Sequence, residues 1–236
     1  MIAGPITGSP YGWLMLAAIA GSIVFWTRLA RRDDRLLLVY VAALIGAFAG
    51  AKVVYLLAEG WHDFGLPDQW RRLATGKSVL GALLGGYLSV ELAKRWLGYA
   101  GVTGDWFALI VPWGIILGRV GCWFHGCCLG RVCDPAWYTM RDAGGVMRWP
   151  AVPLEILFNA VMGVMFLILR RQGNWAGQHF HVYLMAYGVF RFAHEFFRDT
   201  PRVAGILSGY QLAALAVALL GALRWRQRAR QVSSPG

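Results

Sequence analysis

Charge is what this sequence has least of. Only 15% of its 236 residues are Asp, Glu, Lys or Arg, and only 12 are acidic, where an ordinary soluble domain carries about 25% charged residues. The shortage excludes an intrinsically disordered chain, which stays unfolded by being highly charged and poor in apolar residues. Long polar stretches are also missing, so no soluble-sized domain fits between or beyond the apolar runs. With nine prolines and no Gly-X-Y period, a collagen-like fibre is excluded. What is abundant is grease: 58% hydrophobic residues, with 12 Trp, 12 Phe and nine Tyr. Such a composition suits a protein whose solvent is lipid.

A membrane-spanning helix needs about 20 mostly apolar residues. Seven stretches meet or approach that length: residues 11–27, 36–57, 79–97, 106–124, 152–169, 180–197 and 205–223. The expected fold is therefore all-α, a single integral membrane domain over residues 1–236 with about seven spans. Nothing before the first stretch is positively charged, so it does not read as a cleavable signal peptide. Basic residues then set the orientation. One set of connections holds Arg28, Arg31, Arg32, Arg35, Lys94, Arg95, Arg170 and Arg171, and the tail 224–236 adds Arg224, Arg226, Arg228 and Arg230. Basic residues on the other side are fewer, and Glu59, Asp63, Asp68, Asp134, Asp142 and Asp199 dilute them. The positive-inside rule places the N-terminus outside and the basic tail in the cytoplasm, against anionic headgroups. The net charge of +11 therefore belongs to the membrane surface, and nucleic acid is not an expected partner, because every basic cluster abuts a span.

Six charges fall inside the apolar stretches: Lys52, Glu91, Arg119, Glu155, Arg191 and Glu195. A charge at mid-bilayer costs about 2.5–3.5 kcal/mol on insertion scales, so each needs a partner, a water path or a task. Glu91 sits one turn before Lys94 and Arg95 and reads as an interfacial ion pair. The other five would share one depth toward the outer face, which predicts a polar cavity there. Arg191 and Glu195 are four residues apart, on one helical face, where they can pair. A structural ion-pair cluster is the bland alternative. Two arginines favour a site, because their planar forks suit phosphate, and in such a cavity the obvious phosphate belongs to a phospholipid.

The most unusual segment is Gly118-Arg119-Val120-Gly121-Cys122-Trp123-Phe124-His125-Gly126-Cys127-Cys128-Leu129-Gly130-Arg131. Its glycines are expected to break the fourth helix and to let backbone approach a ligand. All four cysteines, Cys122, Cys127, Cys128 and Cys133, cluster here around His125. Three readings stay open. Structural disulfides, with Cys133 as one partner, would hold the loop, although adjacent Cys127 and Cys128 make poor partners for each other. Metal ligation has suitable chemistry but lacks a paired CxxC spacing. A reactive thiol beside Arg119 is the third.

These residues resemble the prolipoprotein diacylglyceryl transferase family of bacterial inner-membrane enzymes. Gly118, Arg119, Gly121, Gly126, Gly130 and Arg131 keep the spacing of its signature. Arg148-Trp149-Pro150 with Glu155 resembles its Arg-His-Pro segment and following Glu. Tyr187-Gly188-Val189-Phe190-Arg191 and Glu195-Phe196-Phe197-Arg198 resemble its Tyr-Gly-x-x-Arg and Glu-Phe-Phe-Arg segments, and Ser208 with Gln211 its Ser-x-x-Gln. The resemblance implies transfer of diacylglyceryl from phosphatidylglycerol to the thiol of a lipobox cysteine in a secreted preprotein, with glycerol phosphate released. It implies catalytic roles for Arg119 and Arg191, with Glu195 orienting Arg191. It places Gly118, Gly121, Cys122, Gly126, Cys127, Gly130, Arg131, Glu155, Tyr187, Ser208 and Gln211 at the substrate. No cofactor and no metal are implied. Three departures stand out: Cys122, His125 and Cys127 replace Asn, Asn and Glu, Trp149 replaces His, and Leu80 occupies the position of the family's histidine in Ser78-Val79-Leu80-Gly81-Ala82. Leucine takes no proton, so His125 becomes the candidate base, although a loop histidine commonly does no more than hydrogen-bond at the surface. Two other functions remain in view: a membrane thiol-redox or metal-handling protein built on the Cys/His cluster, and a homologue that binds phospholipid without turning it over.

Overall fold

The computed structural model describes residues 10–202 and 205–233; the first nine residues and the last three of the basic tail lie outside them. Among the described residues the helices are α1 (Pro10–Ala30), α2 (Arg35–Ala58), α3 (Gln69–Thr75), α4 (Val79–Trp96), α5 (Gly104–His125), α6 (Ala151–Gln172), α7 (His179–His194) and α8 (Gly209–Ser233). Short 3-10 turns cover Gly60–Asp63 and Glu195–Phe197. Each of the seven expected stretches contains one of these helices over most of its length. α1, α2, α5 and α6 are long and apolar enough to cross a membrane, and α3 with α4, bent by 53° at their junction, makes a fifth if the pair counts as one span. The chain is a helical, multi-pass membrane protein.

Two expectations fail locally. The helix of the seventh stretch, α8, starts at Gly209 rather than Gly205 and runs on without a break into the basic tail. The all-helical reading also misses a small hairpin, β1 (Met140–Arg141) against β2 (Met147–Arg148), antiparallel, with Met140 opposite Arg148. Asp142 closes that hairpin. Its Oδ1 accepts from the amides of Gly144 and Val146 at 2.9 and 3.0 Å, while Gly145 takes a φ of +81°, which only glycine adopts without strain. The guanidinium of Arg148 lies 2.6 Å from the Asp142 carboxylate and holds that carboxyl below its ordinary range.

The described residues fall into two compact units. One comprises the chain as far as Phe25, Thr103–Phe180 and Phe196–Asp199; the other comprises Trp26–Val102, His181–Glu195 and the chain from Thr200 onward. In the first, α5 packs on α6. α6 buries Glu155, Asn159, Met162 and Phe166 and exposes Leu157, Val161, Val164 and Ile168. The exposed face is apolar, as befits a helix with lipid on its outer side, while the buried face carries the polar Glu155 and Asn159. In the second unit α2 packs on α4 through small residues. A Cβ on Gly50 would sit 2.3 Å from the Gly81 carbonyl, and one on Gly85 would sit 2.2 Å from the Gly46 carbonyl. Gly46 and Gly50, and Gly81 and Gly85, are each four residues apart, so one ridgeless face on each helix lets the backbones touch.

Lys52 belongs to this scaffold. Its ammonium donates to the carbonyls of Leu73, Ala74 and Gly76, the last of them at 2.8 Å. Those are carbonyls at the end of α3 that have no partner within that helix. The charge that seemed to belong to a cavity closes a helix instead. Glu91 keeps its expected surface role, with Lys94 at 3.9 Å and the side chain of Arg224 as its nearer partner.

Candidate functional site

α5 carries the first arginine. The helix runs unbroken through Gly118 and Gly121 and stops only at Gly126. Gly126 takes a φ of +67°, and its amide donates to the Trp123 carbonyl at 3.1 Å, with Cys127 donating to Cys122 at 3.2 Å. This is the left-handed helix ending that glycine permits. The expectation that several glycines break the helix is therefore corrected: one ends it, and Gly118 and Gly121 lie within it. A Cβ on Gly118 would meet nothing within 4 Å, whereas Gly130 is pressed against the Trp149 carbonyl, 2.2 Å from where a Cβ would stand.

Arg119 is 8% exposed and faces α6, where Glu155 is fully buried. Their charges meet at 3.0 Å, Nη2 to Oε1. One turn along α6, the Asn159 amide donates to the Glu155 carbonyl at 2.8 Å. This pair joins residues far apart in sequence on two helices, and nothing in the spacing announces it. Beyond Gly126 the segment is pinned by its own unit. Arg131 donates its amide to Phe197 at 2.9 Å and its Nη1 to the Phe196 carbonyl at 3.0 Å, and its side chain is exposed. Arg148 donates Nη1 to Gly130 at 3.1 Å. Trp149 stacks on Phe197 with centroids 4.5 Å apart. Arg131 and Trp149 thus hold the loop together. His125 is the last residue of α5 and is exposed.

The cysteines form no disulfide; all four are free thiols, so of the three open readings the structure does not carry the disulfide one. Cys122, Cys127 and Cys128 bring their sulfurs within 4.8 Å of one another, with Cys122 and Cys128 at 3.9 Å. Cys133 stands outside that group.

The second arginine belongs to the other unit and is built differently. Arg191 is 4% exposed on α7, and Glu195 lies just past the helix end in a 3-10 turn. Nη2 donates to Glu195 Oε2 at 2.7 Å, as the four-residue spacing predicts. The other carboxylate oxygen accepts from the Thr200 hydroxyl at 2.8 Å. His194 was passed over in the sequence, yet it is buried with Nδ1 3.4 Å from Arg191 Nη1, its ring stacked on Phe190 at 5.0 Å. The overlooked signal was its place three residues after Arg191. The remaining histidines have other neighbours: His179 lies against the Asn174 carbonyl at 2.8 Å, His181 against the Tyr87 hydroxyl at 3.3 Å, and the exposed His62 against the adjacent Trp61 ring. Tyr187 is fully buried among Tyr183 and Phe190.

Ser208 and Gln211 serve a helix. The Ser208 hydroxyl accepts from the Gln211 amide at 3.2 Å, and the Gln211 carboxamide accepts from the Ser208 amide at 2.9 Å. This reciprocal pair is a capping box on α8, and Gln211 Nε2 reaches on to the Phe192 carbonyl at 3.4 Å.

The sequence profile of prolipoprotein diacylglyceryl transferases matches residues 1–226. Among individual relatives, a phosphatidylglycerol–prolipoprotein diacylglyceryl transferase from Mannheimia succiniciproducens is 31% identical over 195 residues, 75% of this chain and 70% of its own length. A namesake from Geobacter sulfurreducens is 32% identical over 206 residues, covering 82% of this chain and 78% of the relative. One from Clostridium perfringens is 26% identical over 233 residues, 90% and 88% of the two chains. The profile match spans both buried arginine–glutamate pairs. The chain belongs to the prolipoprotein diacylglyceryl transferase family.

Proposed function

We propose that this protein transfers the diacylglyceryl group of phosphatidylglycerol to the cysteine thiol of a lipobox-containing preprotein and releases glycerol phosphate. One observation carries the reading beyond family membership: two arginines are buried among apolar helices, each with a buried glutamate, at Arg119–Glu155 and Arg191–Glu195. A buried ion pair is weak support for stability, because desolvation offsets much of the attraction. Inside a membrane protein such groups mark a functional path. Arg119 takes the lipid phosphate and stabilises the charge that grows on the leaving group. Arg191, its fork oriented by Glu195, is the second arginine on which turnover depends. Apolar helix faces accommodate the acyl chains.

The finer topology is part of the same proposal. Seven passes in the bacterial inner membrane, an outer N-terminus, a cytoplasmic basic tail and an outward-facing reaction site are supported by seven helices at the expected stretches and by the basic residues near their ends. Binding of phospholipid without turnover is the second reading, favoured by Leu80, which is 1% exposed and cannot act as a base.

Purified protein in vesicles containing phosphatidylglycerol, supplied with a lipobox peptide, is expected to release glycerol phosphate. Arg119→Ala and Arg191→Ala should abolish that release. Undiminished turnover in either variant overturns the roles given to them, and phosphatidylglycerol that binds and survives intact with the wild type establishes the second reading.

A further inference from the structure

We propose that Cys122, Cys127 and Cys128 form a three-thiolate site for a thiophilic d10 cation, zinc in the first instance, whose remaining ligand is the acceptor thiol. The second half of this rests on the transferase reading above. Three sulfurs from seven consecutive residues converge within 4.8 Å of one another. Metal–sulfur bonds of about 2.3 Å put ligand sulfurs roughly 3.8–4.0 Å apart in tetrahedral or trigonal geometry, and the Cys122–Cys128 separation is 3.9 Å. The backbone is shaped to this end. Gly126 ends α5 with a φ of +67°, and Cys128 itself takes +60°, a region that side-chain-bearing residues seldom occupy. Cys127 folds back so that its amide meets the Cys122 carbonyl at 3.2 Å. Such an outlier, at three clustered thiols, is where a ligand is worth seeking. Thiolate ligands select soft ions over magnesium or calcium.

Three protein ligands leave a tetrahedral ion one further partner, the arrangement of catalytic rather than structural zinc. A cysteine thiol is the acceptor of the proposed reaction, and a thiol bound to a metal is held as thiolate, the nucleophilic form. The acceptor thiol gives its proton to solvent as its sulfur joins the metal. That sulfur attacks the glyceryl carbon bearing the phosphate ester. The C–S bond forms, the C–O bond breaks with its electron pair passing to the phosphate oxygen, and glycerol phosphate leaves. Nothing is oxidised or reduced. Metal activation would thus supply what Leu80 cannot, without a protein base.

The test uses the full chain, purified in detergent under a non-thiol reductant. One equivalent of cobalt(II) should give thiolate-to-cobalt charge-transfer absorption that zinc displaces. Cys127→Ser should lose it, and Cys133→Ser, outside the cluster, should keep it. Matched elution on size exclusion shows that Cys127→Ser is folded. A lipobox peptide should shift the cobalt ligand-field bands, and the same peptide with serine for cysteine should not. Stripping the metal should lower glycerol phosphate release at least tenfold, with recovery on adding zinc. Wild type without thiolate–cobalt absorption, equal loss in Cys133→Ser, or a Cys122–Cys128 disulfide in protein isolated without reductant overturns the site. Turnover undiminished after stripping overturns the acceptor role. Cobalt bound through thiolates in a loaded protein that never turns over refutes the transferase reading and the acceptor role together, while upholding the thiolate site.

Discussion

The two buried arginine–glutamate pairs look alike in a contact diagram and differ in how they are made. Arg191 near the end of α7 and Glu195 in the 3-10 turn that follows it are four residues apart, so the pair forms within one short stretch of chain. Arg119 and Glu155 stand on separate helices and meet only when α5 packs on α6. The local pair also shares its load: Glu195 accepts from Thr200, and Arg191 has His194 beside it. A local pair is thus insured by its short sequence separation and by its neighbours. The pair across α5 and α6 depends on helix packing, and disturbing it should cost more.

The largest effect is therefore expected at α5 and α6. Arg119→Ala leaves the Glu155 carboxylate buried without its cation, which should lower stability by about 3–5 kcal/mol and remove turnover. The double variant Arg119→Met/Glu155→Leu separates the two consequences. An apolar pair of similar volume should restore most of the stability, because neither side chain then needs solvation, while glycerol phosphate release stays absent. Denaturant unfolding in detergent, alongside the release assay, reads both. Restored turnover in the double variant would show the pair to be structural and erase the comparison.

At α7 the expected effect is smaller. Arg191→Ala leaves Glu195 with Thr200, so the loss should lie nearer the roughly 1–3 kcal/mol of one unsatisfied buried polar group. A double-mutant cycle on Arg191 and Glu195, set against one on Arg119 and Glu155, measures the difference directly. Equal coupling energies in the two cycles would show that sequence separation does not matter here.

The same contrast explains what could be seen in the sequence. Apolar runs made the seven helices legible because hydropathy is a local property, and the four-residue spacing made Arg191–Glu195 legible too. Arg119–Glu155 was not, since two charges on different helices carry no mark of their pairing. Lys52 was misplaced for the same reason: its partners are backbone carbonyls of α3, which side-chain patterns do not reveal. The hairpin at residues 140–148 was missed because its strands have two residues each, too short for any alternation, although Asp142-Ala143-Gly144-Gly145 carried a turn signal. The free thiols went unread because spacing alone cannot say whether clustered cysteines bond to each other or face a common point. His194 was legible in principle, one turn from Arg191, and was passed over for want of a partner in the chain's own pattern.

The smallest effect tests a residue pair that family resemblance and geometry assign differently. Resemblance puts Ser208 and Gln211 at the substrate; the hydrogen bonds put them on each other, at the start of α8. A capping box satisfies two backbone amides at a helix start that have no partner within the helix. Ser208→Ala removes one of those bonds and should cost about 1 kcal/mol, the usual loss for an N-cap hydroxyl. Ser208→Asp should preserve stability, because a carboxylate caps as well as a hydroxyl and suits the positive end of a helix. If capping is the whole role, both variants turn over phosphatidylglycerol at the wild-type rate wherever they are folded, and only Ser208→Ala unfolds at lower denaturant. A substrate role inverts the pattern. Ser208→Asp would then place a negative charge beside an anionic lipid and lose turnover while keeping its stability. The ratio of the two readouts, rather than either alone, therefore decides whether this pair serves α8 or the lipid.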